Sequence, residues 1–296
     1  MDAFHSALGF HSVLISEHAA SEALFASHLN ESRYSIRVVR QTLDALATSS
    51  MITSSRALHV TIPTHGTSVE ISVVYYRAGY TPTDYPTPSH YATRIKLEGS
   101  CAIQCPSIAL QLAGGKKVQE VLSRPGVVEQ FLLDESRGGE RFTEKDVEEL
   151  RASWMGMWSL DLEVDEGVNK ARAMALDLVL KPQREGGGNN VYKESIPVFL
   201  DQLPRAEREA WIAMELIRPP EGVENWLVRA GEGGEGRVKG DVVSELGIYG
   251  WALFGRGAQR VRERTGGWLV RTKGRESDEG GVAVGFSVLD SVVLVD

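Results

Sequence analysis

Cysteine is nearly missing from this sequence. Its 296 residues contain only Cys101 and Cys105, so there is no disulfide framework, and their single close spacing lacks the second half of a zinc site. We expect ordinary reduced thiols. Basic charge is also short: the formal net charge of -8 excludes a generally basic nucleic-acid binder, whose affinity rests on clustered Lys and Arg. A small anionic ligand held by local cations stays open. Long apolar runs are absent as well. The longest early one, Val13-Leu14-Ile15, is far below signal-peptide or membrane-span length, and acidic Asp2 stands where a basic leader would be. A cytoplasmic location with no membrane partner is the expectation. Histidine does not occur beyond His90, since the others are His5, His11, His18, His28, His59 and His65. A Ser-His-Asp or Cys-His mechanism would have to draw its base from that first third, and no G-x-S-x-G motif accompanies one.

What is present is ordinary for a folded globular protein, with 42% hydrophobic and 24% charged residues. At about 150 residues per domain the length suggests two domains or one large composite one. The first hundred residues alternate between strand and helix patterns: a strand near Ser12–Ser16, a helix through Ala23–Leu29, and a strand at Ile36–Val39. Val69, Ile71, Val73 and Tyr75 alternate with Glu70, Ser72 and Val74 as one half-buried strand would. It ends in Arg77-Ala78-Gly79-Tyr80, either a simple glycine turn into the Pro-rich loop Thr81–Ser89 or a binding position at a strand's carboxyl end. Helices are expected after Pro106 and after Pro125, and Thr143 with Asp146 can cap another whose Val147, Leu150 and Trp154 face the core. From Ala175 onward strands alternate with glycine-rich turns, 19 of the 30 glycines lying beyond Lys181. Ala230–Gly240 reads as a loop or insertion tip.

Chemistry concentrates in this second half. Leu176, Leu178 and Leu180 alternate along a strand that runs into Lys181-Pro182-Gln183-Arg184-Glu185-Gly186-Gly187-Gly188-Asn189-Asn190. Consecutive glycines let backbone N–H groups turn toward an anion, and Lys181 and Arg184 add positive charge, although the pattern is not the G-x-x-x-x-G-K-[ST] phosphate loop. Arg271-Thr272-Lys273 followed by Glu279-Gly280-Gly281-Val282-Ala283 is a second cation and glycine unit, and Lys116 after Gly114-Gly115 a third. Each alone can be a hairpin tip; three in one acidic chain point to a polyphosphate. Glu185 and Glu245 add carboxylates, which suits Mg²⁺ with a nucleotide.

Several runs resemble eukaryotic glutathione synthetase: Cys105–Ala109, Gln111–Gln119, Leu122–Gly126, Leu180–Asn190, Ser244–Ile248, Leu269–Lys273 and Gly280–Ala283. The likeness is moderate from about Leu14 and strong from about Arg77, and it is to the C-terminal portion of that family. It implies an ATP-grasp fold, α/β and α+β, with a small Rossmann-like α/β substrate-binding region over 1–104 and an ATP-grasp region over 105–296 that includes a glycine-rich lid at about 181–240. It further implies that Lys116, Lys181, Glu185, Gly186, Gly187, Gly188, Asn189, Asn190, Tyr192, Met214, Glu215, Leu216, Ile217, Glu245, Lys273 and Glu279 surround ATP. Glu185 would be the magnesium ligand, and backbone groups of Met214–Ile217 would meet the adenine edge. Arg77, Tyr80, Arg271, Val282 and Ala283 would face γ-glutamylcysteine or the product, Arg271 serving catalysis. The family reaction activates γ-glutamylcysteine with ATP and joins it to glycine.

The sequence also departs from the family pattern. Family chains extend further at the N-terminus, where two more metal ligands, an arginine and a serine-containing substrate loop lie. The Glu-Arg-Asn run and following Asp-Gln are not recognisable around Glu17–Ser27, Ala78 replaces an acidic residue, and Glu279 replaces an aspartate. Family members are homodimers, with much of their contact surface in the unmatched portion. Two readings follow: a glutathione synthetase, or a shortened, non-catalytic relative that binds Mg-ATP as a regulatory or interaction module.

Overall fold

The computed structural model describes residues 12–16, 36–62, 66–137, 142–161, 165–183, 189–228, 237–255, 261–277 and 287–292, with backbone only at 12–16, 137, 228, 237 and 238. The helix expected at 23–29, the loop at 184–188 and the segments 229–236 and 278–286 lie outside them. The chain divides into two units, Met1–Trp154 with Pro182–Glu185 and Met155–Lys181 with Gly186–Asp296.

The first unit opens with strands β1 (Ser12–Ser16) and β2 (Arg37–Gln41), helix α1 (Leu43–Ser49), and strands β3 (Ser50–Ile52), β4 (Leu58–Thr61), β5 (Ser68–Ile71) and β6 (Val73–Tyr76). Helix α2 (Pro88–Glu98) and β7 (Ile103–Cys105) follow. One sheet has the order β2-β1-β6-β7 with every pair parallel, and β3-β4-β5 form a separate antiparallel sheet. The expected single strand from Val69 to Tyr75 is therefore two strands in two sheets. The break falls at Ser72, whose carbonyl accepts the Ile103 N–H at 2.9 Å. Val74, which simple alternation would expose, is fully buried, as parallel strands covered on both faces require. Leu43, Leu46, Leu58, Val60, Ile71, Val74, Tyr76 and Leu97 make the core.

The short helices α3 (Ile108–Ala113), α4 (Lys116–Ser123), α5 (Glu129–Leu132) and α6 (Glu144–Ala152) complete this unit. Ser107 caps α3, and the helix expected after Pro125 starts only at Glu129. Thr143 and Asp146 form the expected reciprocal cap on α6. Its buried face is narrower than expected: Val147 is buried, Leu150 is exposed, and Trp154 lies past the last turn. Arg151 joins three helices by gripping Glu129 at 2.6 and 2.7 Å and donating to the carbonyls of Ser123 and Arg124 at 2.9 Å.

The second unit holds β8 (Met157–Ser159), α7 (Glu166–Ala173), β9 (Leu178–Pro182), β10 (Val191–Tyr192), α8 (Ser195–Gln202) and β11 (Trp211–Glu215), with the sheet order β10-β9-β11-β8. Leu160, Val168, Leu178, Leu180, Ile196, Leu200 and Ala213 fill its core. Gly167 lets α7 close on β8, since a Cβ there would sit 1.8 Å from the Ser159 carbonyl oxygen. The strand expected from Leu176 begins at Leu178: Leu176 lies in a 3-10 turn and is exposed, whereas Leu178, Val179 and Leu180 are all buried. A second sheet has the order β12 (Glu224–Val228), β13 (Arg237–Leu253), β14 (Arg262–Gly274) and β15 (Val288–Asp290). The end of the expected 230–240 loop is thus strand, with Gly240 opposite Asn225.

Candidate functional site

Arg77 and Tyr80 emerge at the carboxyl end of β6, the position where parallel sheets place ligands. Gly79 has a φ of 86°, and its carbonyl accepts from Gln111 Nε2 at 2.7 Å and from the Tyr85 hydroxyl at 3.2 Å. Asp84 receives the N–H groups of Tyr80 and Thr81 at 2.8 and 3.0 Å, and the Tyr80 hydroxyl donates to the Tyr76 carbonyl at 3.2 Å. The loop is therefore pinned at both ends, with Arg77 exposed beside it. Sequence reading missed Asp84, although Thr81-Pro-Thr-Asp84 carries the capping signature that could have found it. Ala78, where the family pattern has an acid, is buried.

Lys116 is the first residue of α4 and donates to Gln119 Oε1 at 3.4 Å. The Lys117 N–H at the same helix start donates to Gln183 Oε1 at 2.8 Å. Gln183 thus fastens the root of the glycine-rich segment to this helix, a role no local pattern announces because its partner is 66 residues away.

In the second unit β9 and β10 are the two arms of that segment, with Val191 opposite Leu180 and Tyr192 opposite Val179. Strand alternation places Lys181, Asn190 and Tyr192 on one face, and Asn190 Nδ2 donates to the Tyr192 hydroxyl at 3.0 Å. Glu185, Gly186, Gly187 and Gly188 lie outside the described residues, as do Glu279, Val282 and Ala283, while Asn189 and Asn190 are half-buried. Strand β11 adjoins β9 and runs into Met214, Glu215, Leu216 and Ile217. Two of its N–H groups already have partners: Glu215 donates to the Gly156 carbonyl and Leu216 to the Asp177 carbonyl, each at 2.8 Å. Arg218 pairs with Asp177, and Glu215 Oε2 accepts the Gly156 N–H at 3.0 Å.

Strands β13 and β14 bring three predicted residues together. Glu245 lies opposite Arg271 and Val243 opposite Lys273, so Glu245, Arg271 and Lys273 share one face. Arg271 Nη2 meets Glu245 Oε1 at 2.5 Å, and Lys273 Nζ donates to the Ser277 carbonyl at 2.6 Å. The opposite face carries a relay that sequence reading missed. Thr272, fully buried, donates to Asp290 Oδ2 at 2.7 Å; its single proton being spent there, it accepts from Ser244 at 2.8 Å. Arg275 binds Asp241 at 2.5 Å and donates to the carbonyls of Pro219 and Pro220, tying the segment after β11 to the end of β14. Burial, the largest single influence on Asp241, pushes its carboxyl up. The Arg275 hydrogen bond and charge, with the N–H groups of Gly222 and Val223, outweigh it and hold the group below its ordinary value.

Among the described residues no three His, Cys, Asp or Glu side chains converge into a metal cage, and no helix is long and apolar enough to cross a membrane. A strand-borne lysine, two antiparallel arms and a second sheet bearing cations and a carboxylate give the second unit a mixed helix and strand architecture. The sequence matches the family described as eukaryotic glutathione synthase, ATP binding domain, over residues 5–294, and the chain belongs to that family. It is 40% identical over 276 residues to the chloroplastic glutathione synthetase of Arabidopsis thaliana, covering 92% of this chain and 47% of the relative. To the glutathione synthetase of Bos taurus it is 45% identical over 225 residues, 75% of this chain and 44% of the relative. The structure of a glutathione synthetase-like effector, GSS30 from Globodera pallida, in its apo form, shares the fold with a TM-score of 0.65 at 21% identity, covering 96% of this chain and 56% of that one. The chain thus spans about half the length of the curated relatives it matches.

Proposed function

We propose that this chain binds Mg-ATP and supplies the nucleotide-binding part of a glutathione synthetase. The observation that carries the reading is the β13–β14 register, which sets Glu245, Arg271 and Lys273 on one face of an ATP-binding-domain fold. Lys181, Asn190 and Tyr192 on the β9–β10 arms, with Lys116 at the α4 start, are the further nucleotide contacts. Glu185 to Gly188, Asn189 and Glu279 complete the set by family pattern. Adenine would meet the carbonyl side of Met214–Leu216 and the Ile217 backbone, because the Glu215 and Leu216 N–H groups are engaged. Arg77, Tyr80 and Arg271, with Val282 and Ala283, are assigned to γ-glutamylcysteine, whose carboxylates suit guanidinium forks.

In the proposed reaction a carboxylate oxygen of the cysteinyl residue attacks the γ-phosphorus of ATP, the bond to the bridging oxygen breaks, and ADP leaves. The amine of glycine then attacks the acyl carbon, the bond to phosphate breaks, and the amine nitrogen gives up a proton as the amide forms. Such transfer relies on charge neutralisation and alignment, so a protein nucleophile is not required. Mg²⁺ would be held by Glu185 together with phosphate oxygens, the one or two carboxylates plus substrate phosphates that this ion ordinarily takes; when bound it neutralises phosphate charge. A cytoplasmic location is part of the proposal. The synthetase names of the relatives favour turnover over binding alone.

The test is twofold. Millimolar Mg-ATP should raise the melting temperature, and Lys181→Ala should reduce that rise; a tenfold loss of affinity removes about 1.4 kcal/mol of ligand stabilisation. Glycine-dependent phosphate release in the presence of γ-glutamylcysteine then reads the ligase step. An unchanged melting temperature would reject the pocket, and a nucleotide response without release under any reconstitution would leave the binding-module reading in place.

A further inference from the structure

Helix α3 is held by polar contacts rather than by burial. None of its residues is buried, and Ile108, Leu110 and Leu112 are 41%, 45% and 66% exposed. Hydrogen bonds reach from it to earlier elements instead. The Ile108 N–H donates to Glu98 Oε1, at the end of α2, at 2.8 Å, and Gln111 Nε2 donates to the Gly79 carbonyl at 2.7 Å. Gly79 lies between Arg77 and Tyr80, so this amide grips the middle of the loop assigned to the dipeptide. The other end of α3 leads straight to Lys116. Gly114 and Gly115 alone separate α3 from α4, and the joint is bonded from both sides. The Gly115 N–H donates to the Leu112 carbonyl at 3.0 Å, while the Gly115 carbonyl accepts from the Val118 and Gln119 N–H groups at 3.0 and 3.2 Å. A Cβ at Gly115 would stand 3.1 Å from the Leu112 carbonyl oxygen, so the chain turns tightly there. Gln119 closes the joint, its Nε2 donating to the Gly114 carbonyl at 3.3 Å and its Oε1 accepting from Lys116.

We infer that Gln111 is a positioning residue that couples the dipeptide loop to the nucleotide lysine, so that each ligand tightens the binding of the other. The inference rests on the reading of Lys116 as a nucleotide contact and of Arg77 and Tyr80 as dipeptide contacts. A phosphate on the Lys116 ammonium fixes the start of α4. Because α3 has no buried side chain to anchor it, its place is set by what its ends are tied to. Fixing the joint therefore fixes Gln111, and with it the Gly79 carbonyl and the residues on either side. A dipeptide then meets a loop that is already ordered, and binds more tightly for that reason. Linkage makes the effect reciprocal. A continuous run of hydrogen bonds and short rigid elements can carry such coupling, and every link from Gly79 to Lys116 belongs to the first unit. Tyr85 supplies the contrast: its hydroxyl donates to the same carbonyl at 3.2 Å, but its segment leads to α2 rather than to α4.

The experiment titrates the full chain with γ-glutamylcysteine by calorimetry, alone and with saturating Mg²⁺ and the non-hydrolysable β,γ-imido analogue of ATP. The analogue is then titrated with and without the dipeptide. In the wild type each ligand should strengthen the other about fivefold or more, by the same factor in both directions. Gln111→Leu, which keeps the bulk and deletes the donor, should abolish the mutual effect. So should Gln111→Glu, which keeps the shape but accepts instead of donating. Tyr85→Phe should retain the wild-type factor. Thermal melts establish that the variants fold, and Gln111→Glu carries the test should Gln111→Leu not. Two ligands that bind without mutual effect, a factor that survives both Gln111 variants, or one that falls equally in Tyr85→Phe would overturn the coupling and leave the site assignments standing. A wild type that binds no nucleotide would reject the nucleotide reading, and one that binds nucleotide but no dipeptide would reject the Arg77 and Tyr80 assignment; the inference falls with either.

Discussion

Glu245 and Arg271 stand directly opposite one another on β13 and β14, joined at 2.5 Å on the face that also carries Lys273. Both side chains are substantially exposed, so the pair contributes no more than about 1 kcal/mol to folding. The pair holds the guanidinium across the ladder beside Glu245, and on the proposed reading it meets an incoming carboxylate or phosphate there. Arg271→Ala should leave the melting temperature nearly unchanged while lowering glycine-dependent phosphate release by about a hundredfold. Parallel losses in stability and turnover would mean that the pair is structural.

Gly79 should be irreplaceable for a reason separable from its backbone angle. A Cβ there would lie 2.7 Å from the Tyr85 hydroxyl, whereas at Gly126, also left-handed at φ 78°, it would meet nothing within 4 Å. Both alanine variants carry the conformational penalty of about 1 kcal/mol or more. Gly79→Ala should cost measurably more than Gly126→Ala in urea unfolding, and the excess should shrink in a Tyr85→Phe background. Equal costs would refute the contact.

Acid sensitivity of the first unit should trace to Glu129 and Asp146. The Arg151 hydrogen bond, foremost, holds the Glu129 carboxyl below its ordinary value, and the Thr143 side-chain and backbone hydrogen bonds do the same for Asp146. Lowered carboxyl groups stabilise fully above their unfolded value near pH 4, and that contribution is lost as pH falls through the lower folded value. The stability gap between the wild type and a Glu129→Gln, Asp146→Asn double variant should be largest at about pH 7 and close toward about pH 2. A gap that is constant with pH would remove these two groups from the acid response.

Thr272→Val keeps shape but deletes the buried link between Ser244 and Asp290. The loss should be about 1–3 kcal/mol, since an acceptor loses its donor inside the sheet. The Asp290→Asn variant should lose less, because an amide still accepts. Neutrality of Thr272→Val in denaturant titrations would show that water replaces the relay.

Much of this was readable from local pattern because the physics is local. The Thr143 and Asp146 cap lies within one turn, and the glycine-rich segment follows directly on the buried strand Leu178–Leu180. Where reading failed, a distant neighbour decided. Val74 is buried because it joins the core of Leu46, Leu58 and Leu97, and Leu176 leaves the strand although its spacing matches Leu178 and Leu180. Gln183, Asp290 and Arg275 act through partners 66, 18 and 56 residues away, beyond any local pattern. The family likeness named Lys181, Glu245, Arg271 and Lys273 together; only the strand register reveals that the last three share a face.

The grip of Arg275 on Asp241 and on the carbonyls of Pro219 and Pro220 couples the exit of β11 to the exit of β14. Those two exits are mechanically one piece. A nucleotide that touches only the Leu216 side should therefore slow amide exchange at Lys273 as well, and severing the guanidinium link should let the two stretches exchange independently.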